Sequence, residues 1–142
     1  MQALSITTCT ESTLPSAAEV EALYSSVGWS TYTRDIDALM KGLHNSLRVV
    51  VARADDVLIG LARLVGDGAT ICYLQDVLVA PDARRAGVGG QLVREAFAHF
   101  VTVRQHVLIT DEEDGQKAFY ESLGFSQLGD TEPGRAFVRF AR

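Results

Sequence analysis

Residues 84–92 read RRAGVGGQL, two arginines and three glycines set directly ahead of an apolar, helix-like run. The order around them matters more than any one residue: a strand-like ICYLQDVLVA precedes, a short loop PDA intervenes, and QLVREAFAHFV follows. Gly87 and Gly89 allow the backbone to turn sharply and to approach a ligand closely. The N–H groups at the start of the following helix have no intrahelical partner, so they and the positive end of the helix dipole form an anion site. Arg84 and Arg85 add charge beside it, and a phosphate suits such a cradle. Read alone, the same residues equally suit an ordinary strand-to-helix turn with solvated arginines. There is no G-x-x-x-x-G-K-[ST], and the full G-x-G-x-x-G of dinucleotide folds is missing, so a phosphate loop here would be of neither nucleotide type.

The composition narrows the setting. A chain of 142 residues, 47% hydrophobic, suits one domain over residues 1–142 with a real core. A net charge of −5 and a pI near 5.1 exclude a general nucleic-acid binder, which needs a broad cationic surface. Cys9 and Cys72 lie far apart with no CxxC or Cys/His spacing, so neither a metal site nor a disulfide framework is expected. A reduced cytoplasm is the expected location. No apolar run approaches the ~20 residues of a membrane span, and the first residues lack a signal-peptide pattern, so no membrane association is expected.

Strand and helix signals alternate along the chain. ALSIT alternates as a first strand, and Ser16 with Glu19 makes a capping-box pattern that opens a helix. Ile36, Leu39, Met40 and Leu43 share a face of a second helix. Residues 47–80 read as three antiparallel strands split by ADD and by GDG, the third dense in large apolar residues and expected to be central. Leu92, Val93, Ala96, Phe97 and Phe100 then form a helical stripe. HVLIT is a short strand, DGQKAFYESLGF a last helix ended at Gly124, and RAFVRFA a strand that closes the sheet. The fold class expected is α/β with a mixed, mostly antiparallel central sheet and about four flanking helices.

At DVLVAPDARRAGVGGQLV the chain resembles the GNAT N-acetyltransferases, whose acetyl-CoA motif is Gln/Arg-x-x-Gly-x-Gly/Ala; here it is Arg84-x-x-Gly87-x-Gly89. AFYESLGF resembles the Tyr-x-x-x-Gly-Phe signature of the same family through Tyr120, Gly124 and Phe125. The resemblance implies a GNAT-like single domain splayed between its fourth and fifth strands. It implies acetyl-CoA as co-substrate, its pyrophosphate held by Arg84, Arg85, Ala86, Gly87, Val88, Gly89 and Gly90, and its pantetheine arm paired with the backbone of Leu78 and Val79. It implies an amine acceptor, direct transfer in a ternary complex, no metal, and Tyr120 as the donor that meets the departing thiolate. A homodimer is among the assemblies it allows. The chain departs from the family at Glu113, where many members carry Asn, and at Gln75, where relatives often carry Glu.

Amine acetylation requires a neutral amine, a polarised carbonyl and a stable leaving thiolate. A backbone N–H near Val77 or Leu78, at a bulge in the fourth strand, could polarise the carbonyl. Asp76 is a carboxylate inside the otherwise apolar YLQDVLV, which is costly unless it is exposed, paired or used. It is therefore either the acceptor amine's proton acceptor or a structural partner for an arginine. Gln75 cannot act as a base. Trp29 and Tyr32 fall where family members gate the acceptor, or are core aromatics at a helix junction. Asp111 falls where the fifth strand opens, or belongs to a solvated acidic run. A CoA-binding regulatory module that has lost turnover is the alternative reading.

Overall fold

β-Branched and large apolar residues dominate residues 48–79, and in the computed structural model, which describes residues 3–84 and 86–141, they build the middle of a five-stranded sheet ordered β1-β2-β3-β4-β5. The strands are β1 (Leu4–Thr8), β2 (Arg48–Ala54), β3 (Val57–Gly66), β4 (Ile71–Val79) and β5 (Gln105–Leu108). The first four pair antiparallel, and β4 pairs β5 in parallel. Asp55 and Asp56, both at positive φ, form the two-residue turn between β2 and β3. Asp67 caps the turn between β3 and β4 by accepting from the N–H groups of Ala69, Thr70 and Ile71.

The helices are α1 (Ala17–Ser26), α2 (Ser30–Thr33), α3 (Ile36–His44), α4 (Val88–Phe97) and α5 (Gln116–Ser122). Among the described residues five α-helices stand where about four were expected, because the connection after α1 itself winds into the single turn α2. The capping box at Ser16 and Glu19 forms as read. Glu19 also binds Arg53 of β2 at 2.6 Å, and that hydrogen bond, with one from the Ser16 N–H, holds its carboxyl down at about 2. The α4 stripe is buried from Leu92 to Phe97, whereas Phe100 lies past the helix end.

The chain divides after Ile109 into two compact units. In the first, α1 and α3 pack Val20, Leu23, Tyr24, Leu39 and Leu43 against Val49, Val51, Leu61 and Leu78 on one face of the sheet. Helix α4 covers the other face at very close range. A Cβ on Gly60 of β3 would sit 2.9 Å from Leu92 Cδ1 and 3.3 Å from Ala52 Cβ, so any larger residue there would have to displace the end of Leu92.

The second unit, from Thr110 onward, holds α5. The Gly124 N–H donates to the Glu121 carbonyl and the Phe125 N–H to that of Tyr120, a Schellman ending of the kind read from the sequence. Lys117 pairs with Asp130 at 2.6 Å. Two sequence expectations are corrected. RAFVRFA forms no strand among the described residues, and Phe137 is 89% exposed; alternation gives a segment the capacity to pair, but a strand exists only when a neighbour offers a ladder. With no sixth strand, β3 and not β4 takes the middle of the sheet. Among the described residues no helix is long and apolar enough to cross a membrane.

Gly60→Val is expected to destabilise the protein by about 1–3 kcal/mol through overpacking of Leu92, read as a lower urea midpoint at unchanged slope.

Candidate functional site

The site begins with one extra residue. From Gly66↔Cys72 to Leu64↔Leu74 the β3–β4 hairpin keeps one register, and from Arg63↔Asp76 onward it keeps another. Gln75 is the inserted residue, a β-bulge that turns Asp76 to the face opposite Leu74. Asp76 therefore enters the α1/α3 side of the sheet directly opposite Arg63. The bulge lies at Gln75, ahead of the Val77–Leu78 region where the sequence placed it.

Asp76 is 2% exposed and Arg63 7%. Arg63 Nε donates to Asp76 Oδ2 at 2.7 Å, and the Tyr24 hydroxyl donates to the same oxygen at 3.0 Å. The Tyr32 hydroxyl donates to Asp76 Oδ1 at 2.7 Å and accepts from Gln75 Nε2 at 2.9 Å. At the far end Arg63 Nη1 reaches Ser46 Oγ at 3.5 Å, and that hydroxyl donates to the Gly42 carbonyl at 2.7 Å. Burial, reinforced by the Asp76 charge, pushes both phenols up, Tyr24 the more strongly. Both tyrosines therefore remain donors across the neutral range. Trp29 leans edge-on to Tyr24 at 5.8 Å and lies 6.1 Å from Tyr32.

Of the two readings the sequence left for Asp76, this geometry is that of an arginine's structural partner. Both its oxygens are engaged and almost none of it reaches solvent. Tyr32, half-buried, and Gln75, exposed, are the members of the network that open outward. Tyr24 and Arg63 were not singled out from the sequence. Arg63 carried the same signal as Asp76, a charge inside an apolar strand, but a straight hairpin would have set Gln75 opposite it.

Beyond Leu74↔Leu108 the pairing of β4 with β5 ends, while β4 continues to Val79. Among the described residues the edge of β4 from Gln75 to Val79 is thus open on that side. The Ala80 N–H donates to the Ile59 carbonyl at 2.7 Å, and strand groups alternate sides, so Leu78 faces β3 while Val77 and Val79 face the open edge. This corrects the expectation for Leu78: its backbone is turned to β3 and its side chain lies in the core, 3% exposed. Arg84 Nε donates to the Val79 carbonyl at 3.3 Å, which ties the glycine-rich turn to this edge.

That turn ends in Gly87, whose φ of +75° is the left-handed conformation, as the N-cap of α4. No side chain caps the helix there, and the space where a Gly87 Cβ would stand is open. Gln91 donates to the Gly87 carbonyl, and among the described residues the N–H groups of Val88, Gly89 and Gly90 have no intrahelical acceptor one turn back, which leaves them for a ligand. A phosphate suits this end; Ala86 and Gly87 are exposed beside it, and Arg85 lies outside the described residues.

Tyr120 and Asp111 belong to the second unit. Burial and the Asp111 charge push the Tyr120 hydroxyl up to about 12, and its ring packs against Phe119 and Phe125. Asp111 is exposed and accepts from the Glu113 N–H at 3.0 Å. Among the described residues no group of three His, Cys, Asp or Glu is placed to hold a metal ion.

Residues 45–127 match the family model described as the acetyltransferase (GNAT) domain. An uncharacterized N-acetyltransferase of Prochlorococcus marinus is 31% identical over 112 residues, 76% of this chain and 61% of that protein. The chain spans about three fifths of the length of the curated relatives it matches. Among solved structures, a GNAT-family acetyltransferase from Streptococcus pneumoniae is 32% identical with a TM-score of 0.82, over 96% of this chain and 98% of that one. An aminoglycoside N-acetyltransferase in complex with CoA shares the fold at 18% identity and a TM-score of 0.73, over 99% of this chain and 96% of that one.

Arg63→Met, which strands the Asp76 charge, is expected to cost about 3–5 kcal/mol in urea denaturation, and adding Asp76→Leu to restore most of it. A double variant no more stable than the single would show that the two charges are not coupled.

Proposed function

The chain belongs to the GNAT family, and on that premise we propose that it transfers an acetyl group from acetyl-CoA to a primary amine, by direct attack within a ternary complex. The observation that carries this reading is the uncapped start of α4 beside the open edge of β4. One offers a phosphate three helix N–H groups; the other offers an extended amide-bearing arm the backbone groups of Val77 and Val79. We further propose that residues 1–142 act as one acetyltransferase domain, which is supported by a family match that runs from the first unit into the second.

In this reading Ala86, Gly87, Val88, Gly89 and Gly90, with Arg84 and Arg85, hold the pyrophosphate, and Val79 pairs with the pantetheine. The Val77 N–H is the donor that faces the edge where the carbonyl would lie, so it is the group assigned to polarise it. The neutral amine nitrogen attacks the thioester carbon, the carbon–sulfur bond breaks, and the electron pair leaves on sulfur. Tyr120 donates a hydrogen bond to that thiolate as charge develops on sulfur. A hydroxyl held at about 12 stays protonated at neutral pH, while a free thiol titrates near ~8.5, so full proton transfer from phenol to thiolate would be uphill and the hydroxyl acts by hydrogen bonding. The proton shed by the amine passes to water, because Asp76 is buried and already accepts on both oxygens. Asp76 serves as an anchor through Tyr32. The setting proposed is cytoplasmic.

A thiol-release assay against a panel of amines tests the reading: acetyl-CoA-dependent release with at least one primary amine is expected. Acetyl-CoA binding with no release on any amine would replace it by a CoA-binding regulatory module.

Gly87→Asp should abolish acetyl-CoA binding in calorimetry while leaving the fold intact. Its carboxylate would itself cap the α4 N–H groups and put negative charge where the phosphate sits, at a cost of about 1–2 kcal/mol for the left-handed backbone. Unchanged affinity would remove the loop from the cofactor site. Tyr120→Phe should lower turnover by about 10- to 100-fold with acetyl-CoA affinity nearly unchanged. Weaker binding at parental turnover would make that ring a packing group.

A further inference from the structure

A hydroxyl has one proton to donate and two lone pairs with which to accept. In Tyr32 the proton is committed to Asp76 Oδ1 at 2.7 Å, and one lone pair is taken by Gln75 Nε2 at 2.9 Å. The commitment is firm, because the carboxylate is ion-paired to Arg63 and held by Tyr24, and an ionised carboxylate only accepts. Since Tyr32 has no proton left to give Gln75, the amide must turn its NH₂ toward Tyr32. That leaves Oε1 outward on an exposed side chain. Two acceptor sites, the remaining lone pair of Tyr32 and Oε1 of Gln75, thus stand together, with no side-chain donor bonded to either among the described residues. They lie at the bulge where the open edge of β4 begins, roughly 7 Å along the strand from Val77.

We infer that Tyr32 and Gln75 form the seat of the acceptor nitrogen, a pair of obligate hydrogen-bond acceptors that selects amines able to present two N–H groups and rejects those with none. The inference rests on the transferase reading and names its acceptor class. Asp76 and Arg63 are positioning residues: they do not touch the amine but fix which way the Tyr32 hydroxyl points. A seat of this kind takes a primary ammonium or amine, turns away a carboxylate or carbonyl oxygen, and distinguishes a primary ammonium from a trimethylammonium of equal charge.

Trp29, the only tryptophan, has its ring 6.1 Å from that of Tyr32, so its fluorescence reports occupancy without any turnover. The probes are n-butylamine, phenethylamine and lysine methyl ester, each against its N-trimethyl counterpart, titrated with and without CoA. The parent is expected to bind at least one primary amine about 10-fold or more tighter than its trimethyl counterpart, the loss that follows from removing a charged hydrogen bond. Tyr32→Phe should erase that preference with acetyl-CoA affinity nearly unchanged, at some loss of melting temperature because Asp76 Oδ1 loses its donor, and Gln75→Leu should reduce it. Tyr24→Phe, which removes a donor from the other oxygen of Asp76, should lower stability yet keep the larger part of the preference. The seat is overturned if the parent binds both members of every pair alike or binds none at millimolar concentration. It is overturned equally if Tyr32→Phe keeps the preference, or if Tyr24→Phe and Tyr32→Phe lose it to the same extent. Thiol release measured on the same samples separates the two ideas. Preference without release keeps the seat and removes the transferase, whereas release without preference does the reverse.

Discussion

A carboxylate enclosed in an apolar sheet must meet a cation before the sheet can close over it, and Asp76 meets Arg63 only because β4 carries one residue more than β3 at Gln75. Much else depends on that encounter. The pair draws two phenols from the α1–α2 region, Tyr24 to one oxygen and Tyr32 to the other, and so settles how the helical layer sits on this face of the sheet. Every buried atom of the Asp76 carboxylate is satisfied, which turns a costly group into one that specifies a single arrangement of its neighbours. The bulged residue itself is left outside, on the exposed side of the strand.

The same strand serves three environments at once. One face carries the polar network and, beyond it, Leu78 in the core; the other carries Cys72 and Leu74, both nearly inaccessible to solvent. Its edge, released from β5 after Leu74, keeps unpaired backbone groups that a sheet interior would have consumed. Close packing of α4 through Gly60 then holds the start of that helix next to this strand, and Arg84 ties the turn back to Val79. The start of α4 and the open edge of β4, to which the proposed cofactor is assigned, are therefore neighbours by construction.

The chemistry proposed makes modest demands on proton transfer. The leaving thiolate is tolerable near neutral pH, and the phenol assigned to meet it keeps its proton and so can donate a hydrogen bond to it. What remains is alignment, and fixed hydrogen-bond directions supply it: backbone N–H groups at the start of α4, Val77 at the edge, and a tyrosine whose proton is spoken for. A freely turning hydroxyl at position 32 could greet a donor or an acceptor alike; the buried ion pair removes that choice.

Local signals in the sequence determined a good deal. The capping box at Ser16, the Asp-rich turns, the sharp glycine turn at Gly87 before α4 and the Gly124 helix ending were all legible, because each depends on residues within a few positions of one another. So was the glycine-rich turn proposed to cradle a phosphate, whose signal lies almost wholly between residues 84 and 90. Asp76 was visible as an anomaly, but its partners were not. Tyr24 lies 52 residues away, Tyr32 44, and Arg63 13, and which of them it meets is set by a bulge that no local preference announces. The closing RAFVRFA had the alternation of a strand and no ladder to join, since pairing is a property of two segments and the sequence pattern describes one. Turns, caps and the helix-end cradle were decided by near neighbours along the chain. The register of β3 on β4, and with it the direction of one buried proton, was decided only by the tertiary structure, because burial makes a charge choose its partner by distance in space.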